Sequence, residues 1–169
     1  MACSGACAAP GCGPTGPAGL VTPSSFFQAQ LSQINGLVLV VTTSRPIFFN
    51  VVTAGGLDAA YDTTTGIFTA PRAGFYSFAV NVVASNTNAV VNTLAVSLVV
   101  NGTATNSQTA RVPATVGQVA AIAFASLLLL SAADEVQVTC LSGATSSLYL
   151  GSNVYPVAAI STFTCTSLF

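Results

Sequence analysis

One stretch limits the fold before any other. Leu94, Val96, Leu98 and Val100 alternate with Ala95, Ser97 and Val99, and Asn101-Gly102 follows without a break. A side-chain period of two puts the first set on one face of a strand. Asn-Gly suits a tight hairpin because both residues tolerate the left-handed backbone that such a turn needs. The chain is therefore expected to reverse here into an antiparallel partner. The same alternation returns in Tyr76, Phe78, Val80 and Val82, just after Gly74. It returns again in Val136, Val138 and Cys140, with Gln137, Thr139 and Leu141 between them. Turn formers at Ala54-Gly55-Gly56, Thr65-Gly66, Asn86-Thr87-Asn88 and Ser142-Gly143 separate these runs. Many short strands with turns between them predict an all-β sandwich or barrel. The run Val119 to Leu130 is ambiguous. Its length and alanines suit a helix, while its place between two turn signals favours a fully buried strand.

The surface such a sandwich presents is unusual. Only 4% of the 169 residues are charged, against roughly 25% in ordinary soluble proteins. They are Arg45, Arg72, Arg111, Asp58, Asp62, Asp134 and Glu135, with no Lys, His or Trp. Exposed positions must then be filled by Thr, Ser, Asn, Ala and Gly. A surface of this kind repels its copies weakly and costs little to desolvate, so it tolerates burial against other subunits. A membrane-spanning helix is not expected, because the apolar run ends at Ser131 after about twelve residues and a span needs about 20. No secretory signal peptide is expected either, since Met1-Ala2-Cys3-Ser4-Gly5 has neither a basic start nor an apolar stretch. A net charge of −1 excludes neutralising a run of phosphates, so nucleic acid is not a partner.

Residues 1–24 differ from the rest. They mix Gly, Ala, Pro and Cys without periodicity and read as a flexible arm, with residues 25–169 as the head. Within the arm, Gly13-Pro14-Thr15-Gly16-Pro17-Ala18-Gly19 has glycine at every third position, as a collagen triple helix requires. It is too short to hold three chains together by itself.

The segment from Pro46 to Phe78 carries more than a pattern. Pro46-Ile47-Phe48-Phe49-Asn50-Val51-Val52 leads, after a turn, to Tyr61-Asp62-Thr63-Thr64-Thr65-Gly66-Ile67-Phe68. Then follow Thr69-Ala70-Pro71-Arg72-Ala73 and Gly74-Phe75-Tyr76-Ser77-Phe78. Asp62 and Gly66 suit a hairpin turn, Pro71 and Gly74 a corner, and Phe68, Tyr76 and Phe78 a core. This sequence resembles the globular head domain of the complement and tumour-necrosis-factor superfamily, which shows an aromatic-Asp-x-x-Thr-Gly-x-Phe hairpin, then Pro, then Gly-x-Tyr-x-Phe. Phe27-Gln28-Ala29-Gln30-Leu31 is similar to its first strand and Ala159-Ile160-Ser161-Thr162-Phe163 to its last. Ala133-Asp134-Glu135-Val136 is similar to its Gly-Asp-x-Val turn, with Ala133 in place of the glycine. The resemblance implies a ten-stranded antiparallel jelly-roll sandwich (TNF-like), trimeric, with Phe49, Tyr61, Asp62, Gly66, Phe68, Pro71, Gly74, Tyr76 and Phe78 building the fold. Similar heads cap collagen-like fibres on the exosporium of bacterial spores, and related heads occur in large viruses.

No catalytic constellation emerges. Without His or Lys the common general base and Schiff-base former are missing, so no enzyme and no cofactor is expected. Asp58 and Asp62 suit turns better than a metal site, and the cysteine spacings do not match a zinc knuckle. Cys140 shares a face with Val136 and Val138 and is expected to be a buried thiol. Cys3, Cys7 and Cys12 have no core to occupy, and together with Cys165 they are the candidates for crosslinks between subunits. Leu20, Val21, Phe26 and Phe27 are the candidates for apolar docking of the arm.

These features predict a structural subunit that trimerises and self-assembles into a surface fibre or coat. A bacterial endospore appendage or exosporium filament is the leading setting, with the arm linking successive trimers and an anchoring surface protein as a further partner. The alternatives are a receptor- or glycan-binding trimeric head and a minor capsid or spike protein of a large virus.

Overall fold

The alternating runs pair into two antiparallel sheets in a computed structural model of the chain. It describes residues 25–31, 37–39, 43–54, 57, 60–86, 90–115, 118–143, 148–150 and 161–168. Cys3, Cys7, Cys12, Leu20, Val21 and Asp58 lie outside the described residues.

The first sheet contains β1 (Phe26–Gln30), β2 (Leu37–Leu39), β4 (Val51–Ala54), β7 (Gly74–Asn86), β10 (Val119–Leu130), β12 (Leu148–Leu150) and β13 (Thr162–Ser167). Its order is β2-β12-β7-β13-β1-β4, and β10 pairs with β7 along Gly74–Ser85 as an edge strand. The second sheet contains β3 (Arg45–Pro46), β5 (Tyr61–Asp62), β6 (Ile67–Thr69), β8 (Asn92–Val100), β9 (Thr103–Val112) and β11 (Glu135–Ser142). Its order is β5-β6-β11-β8-β9, with β3 also on β11. Among the described residues thirteen strand segments stand where the resemblance implies ten strands, and several run for only two or three residues. Pro46, which has no N–H to give a ladder, closes β3.

Residues with the expected phase fill the space between the sheets. Leu94, Val96 and Leu98 of β8, Val136, Val138 and Cys140 of β11, and Tyr76, Phe78, Val80 and Val82 of β7 are all buried. At the centre, Phe163 of β13 lies 5.2 Å from Phe27, 5.7 Å from Phe49 and Tyr61, and 5.8 Å from Phe78, ring centre to ring centre. Phe68 extends the cluster to Tyr76 and Phe78 at 5.6 and 5.5 Å. The two tyrosines keep their hydroxyls satisfied. Tyr61 Oη accepts from the Phe49 N–H at 3.1 Å, and Tyr76 Oη donates to the Arg72 carbonyl at 2.7 Å.

The hairpin motif is held by its own polar residues. Asp62 Oδ1 accepts from both the N–H and the hydroxyl of Thr64, which pulls its carboxyl below the usual carboxylate range. Gly66 sits at φ +71, and a Cβ there would meet the Ile47 carbonyl oxygen at 2.9 Å. Any other residue would meet both the backbone strain and the clash.

One end of the sandwich gathers the Asn101-Gly102 turn, the Ser131–Asp134 turn and the link from Ala70 to Ala73. Asn101 (φ 48) and Gly102 (φ 80) form the left-handed pair that the sequence predicts. Asn101 Nδ2 donates to Asp134 Oδ1, Asn101 Oδ1 accepts from Glu135 N–H, and Asp134 Oδ2 accepts from Ser131 N–H. Ser25 joins this end, where its carbonyl accepts from both the N–H and the hydroxyl of Ser167.

Ala133 is left-handed as well, at φ 69, in the place where the family motif has glycine. That conformation costs an L-residue roughly 1–2 kcal/mol, and its side chain is exposed. Ala133→Gly is expected to stabilise the head by about 0.5–1 kcal/mol, once the greater freedom of glycine in the unfolded chain is subtracted. A rise in the denaturant midpoint at unchanged slope would report it.

Candidate self-association face

The outer surface of the first sheet follows from strand register alone. In β10 the even-numbered residues turn inward, ending in Ile122 and Leu130, while Val119, Ala121, Ala123, Ala125, Leu127 and Leu129 are exposed. Pairing sets these beside outward residues of β7, so that Leu129 faces Phe75, Leu127 faces Ser77, Ala125 faces Ala79 and Ala123 faces Asn81. β13 and β1 continue the rows. One runs Phe26, Thr166, Ser77, Leu127, and the next runs Gln28, Thr164, Ala79, Ala125. Leu168 donates its N–H to the Phe75 carbonyl and is itself exposed, completing an apolar corner with Phe75 and Leu129.

No charged residue occurs in β1, β4, β7, β10 or β13. Leu127 and Leu129 are 61% and 70% exposed. From strand spacing and rise, the rows from Leu129 to Ala123 cover about 14 Å across and about 20 Å along β10. That area supplies about a third of the ~800 Å2 that a partner contributes to a stable interface, and the exposed edge of β10 adds to it. Leucines and phenylalanines at one end give apolar contact, while alanines and threonines further along let a second backbone come close. A β-edge of twelve residues without charge or proline lacks the usual protection of a monomer against pairing. This geometry fits contact with protein of similar composition.

Three expectations change here. Val119 to Leu130 is a strand, yet it is half exposed rather than fully buried, because both of its faces are apolar and only one meets the core. Phe27 is removed from the docking candidates, since it is fully buried and stacks on Tyr61 and Phe68 at 5.0 and 5.4 Å. Its neighbour Phe26 points outward onto the face. Cys165 is removed from the crosslink candidates, because it lies on the core side of β13 and is fully buried. Cys140 is buried as well, with its Sγ 3.5 Å from the Arg45 carbonyl.

Burial pushes both thiols up, Cys140 to about 12 and Cys165 further, so neither is a nucleophile near neutrality. A raised folded-state pKa means that the contribution is complete below the unfolded value, near 9, and is lost as pH rises through the folded value. With both thiols protonated only when folded, the unfolding free energy is expected to fall by about 2.7 kcal/mol per pH unit above roughly pH 9. Tyr61, held by burial to about 12, steepens the loss above 10. Between pH 5 and 8, with no His in the chain, stability should stay level. Melting curves across pH 5 to 11 check both halves.

Among the described residues, no group of three or more His, Cys, Asp or Glu able to hold a metal occurs, and no helix is long and apolar enough to cross a membrane.

A profile of the C1q domain matches residues 29–157, about three quarters of the chain. The chain belongs to the C1q domain family. By sequence, no curated protein matches it. The fold is shared with the globular domain of zebrafish complement 1qA protein at a TM-score of 0.60 and 16% identity, over 86% of this chain and 98% of that one. It is shared with Eiger TNF from S. frugiperda at a TM-score of 0.58 and 14% identity, over 86% and 92%. C1q and TNF-like domains are non-enzymatic structural or binding modules that commonly form homotrimers, and C1q domains are typically extracellular.

Proposed function

We propose that this C1q-domain chain is a structural subunit whose heads trimerise through the outer face of the first sheet and whose trimers assemble into a surface fibre or coat. The observation that carries the reading is that face, free of charge and bearing the exposed Leu127 and Leu129. Residues 1–24 link one trimer to the next, and Cys3, Cys7 and Cys12 lock the joints once the surroundings become oxidising. The endospore surface, as an appendage or exosporium filament, suits this arrangement. Its subunits assemble inside a cell before release, and the collagen-like triplets from Gly13 to Gly19 stand where a stalk would meet the head. A binding head is less well supported. Exposed Phe26 and Phe75 lie on the association face, which leaves few aromatic side chains to make a separate recognition patch.

Electron microscopy of the full-length protein, before and after a reductant, tests the reading. Ordered filaments or sheets are expected, and they should weaken or disperse when the arm disulfides are reduced. Deleting residues 1–20 should leave trimers that no longer assemble. Isolated trimers from the full-length chain under every condition would overturn the fibre or coat.

A further inference from the structure

The end of the sandwich opposite Ser25 carries its own exposed apolar residues. Val90 and Val91, in the connection after β7, are 53% and 40% exposed, and Val119 at the start of β10 is 48% exposed. These residues are held in place. Asn86, buried at the end of β7, donates from Nδ2 to the carbonyls of Val90 and Pro113, both at 2.6 Å, and so ties the two connections together. Ser85 beside it pairs with Val119. A fixed acceptor loses little freedom on binding, which favours a weak apolar contact.

We infer that Val90 and Val91, with Val119 at the rim, form the acceptor for Leu20 and Val21 of a second copy's arm. The inference rests on the reading that the arm joins successive trimers, and it names the site of the joint.

Reach decides between the chain's own arm and another's. Phe26 stands in the row of Ser77, nine residues along β7 from Asn86, which places it roughly 30 Å from the valines. Leu20 is six residues before Phe26, and six residues span at most about 20 Å however they run. The arm of one copy therefore cannot bring Leu20 or Val21 to its own far end. It can bring them to the far end of a copy placed beyond its near end. Because donor and acceptor are different surfaces at opposite ends, the contact is head-to-tail, and repeating it extends an open line. Docking on the apolar corner of Phe75, Leu129 and Leu168 would instead join two near ends and close after one step. Each joint buries only a few aliphatic groups, but a trimer brings three arms to three acceptors at once, and the effective concentration of the second and third raises the avidity.

The test uses two variants of the full-length chain, Leu20→Asp/Val21→Asp in the arm and Val90→Asp/Val91→Asp in the acceptor. Sedimentation velocity reads assembly size, and melting curves confirm that the heads are folded. Each variant alone is expected to remain at the size of a single trimer. Mixed, they are expected to form joints that stop after one step, at about twice that mass, since one supplies an intact arm and the other an intact acceptor. If the acceptor variant assembles like the unmodified chain while the arm variant does not, the acceptor lies elsewhere and the arm reading stands. If the arm variant assembles like the unmodified chain, Leu20 and Val21 are not the docking residues and this inference falls, while deletion of residues 1–20 still decides the arm reading. If the unmodified chain does not assemble, the arm reading falls and this inference with it. A photo-crosslinker at position 21 of the otherwise unmodified chain gives a second measurement that needs no destabilising change. Crosslinks to the segment around Val90 and Val91 of another copy support the assignment, and crosslinks only elsewhere overturn it.

Discussion

Phe163→Ala is expected to destabilise the head by about 3–5 kcal/mol, the range for removing a large aromatic side chain from a packed core. For a domain of this size that corresponds to a melting point lower by roughly 10 °C. The expectation lies at the upper part of the range because of where the ring sits. Phe163 is fully buried on β13, the strand between β1 and β7, and touches rings from four separate strands or connections, those of Phe27, Phe49, Tyr61 and Phe78. Relaxation of one neighbour cannot fill the space, because each is fixed by its own strand or hydrogen bond. Tyr61 in particular is held by the Phe49 N–H. Phe163→Leu, which keeps more of the volume, should cost distinctly less. Urea unfolding of the two variants checks the order, and a loss below about 1 kcal/mol for Phe163→Ala would mean that the cluster is not the centre of the core.

Much of this fold is legible in the sequence because half-buried strands show their phase. Leu94, Val96 and Leu98 alternate with smaller or polar residues, and the pattern tells which face is covered. The same signal was available for Phe27 and Cys165. Gln28 and Gln30 mark the outward phase of β1, which sends Phe27 and Ala29 inward, and Thr162, Thr164 and Thr166 mark the outward phase of β13, which sends Phe163 and Cys165 inward. Reading each residue by type rather than by phase assigns Phe27 to docking and Cys165 to crosslinking.

β10 fails for a different reason. Its outward set is Val, Ala and Leu, as apolar as its inward set, so no phase is visible. Sequence registers only that both faces avoid water. It does not distinguish a face covered by the chain's own second sheet from one available to another copy. The exposure of its odd-numbered residues makes the distinction, and the register with β7 makes β10 the edge of an exposed apolar face. At the far end the hairpin register, continued past Asn92 and Val112, already places Val91 near Pro113. Nothing in the sequence shows that the buried Asn86 amide ties the Val90 and Pro113 carbonyls together or that the valines stay exposed.

Leu127→Asp together with Leu129→Asp is expected to convert trimers into folded monomers. In an isolated head both side chains point into solvent, so the fold itself should tolerate the change with little loss. In a trimer built on this face, each copy would bury two carboxylates beside Phe75 and Leu168, with no arginine on the face to pair them. The effective penalty for an unpaired buried ion is several kcal/mol, so the added cost exceeds what an apolar contact of a few leucines returns. Lowering the pH through the ordinary aspartate range should neutralise the new groups and restore part of the association, because it is the charge that opposes burial. Sedimentation equilibrium near pH 7 and pH 3.5 reads both effects, against Val90→Asp/Val91→Asp as a control that leaves the trimer intact. A trimer of the Leu127 and Leu129 variant that persists near pH 7 would remove this face from the interface. The charge-free surface would then have to be explained by contacts between trimers alone.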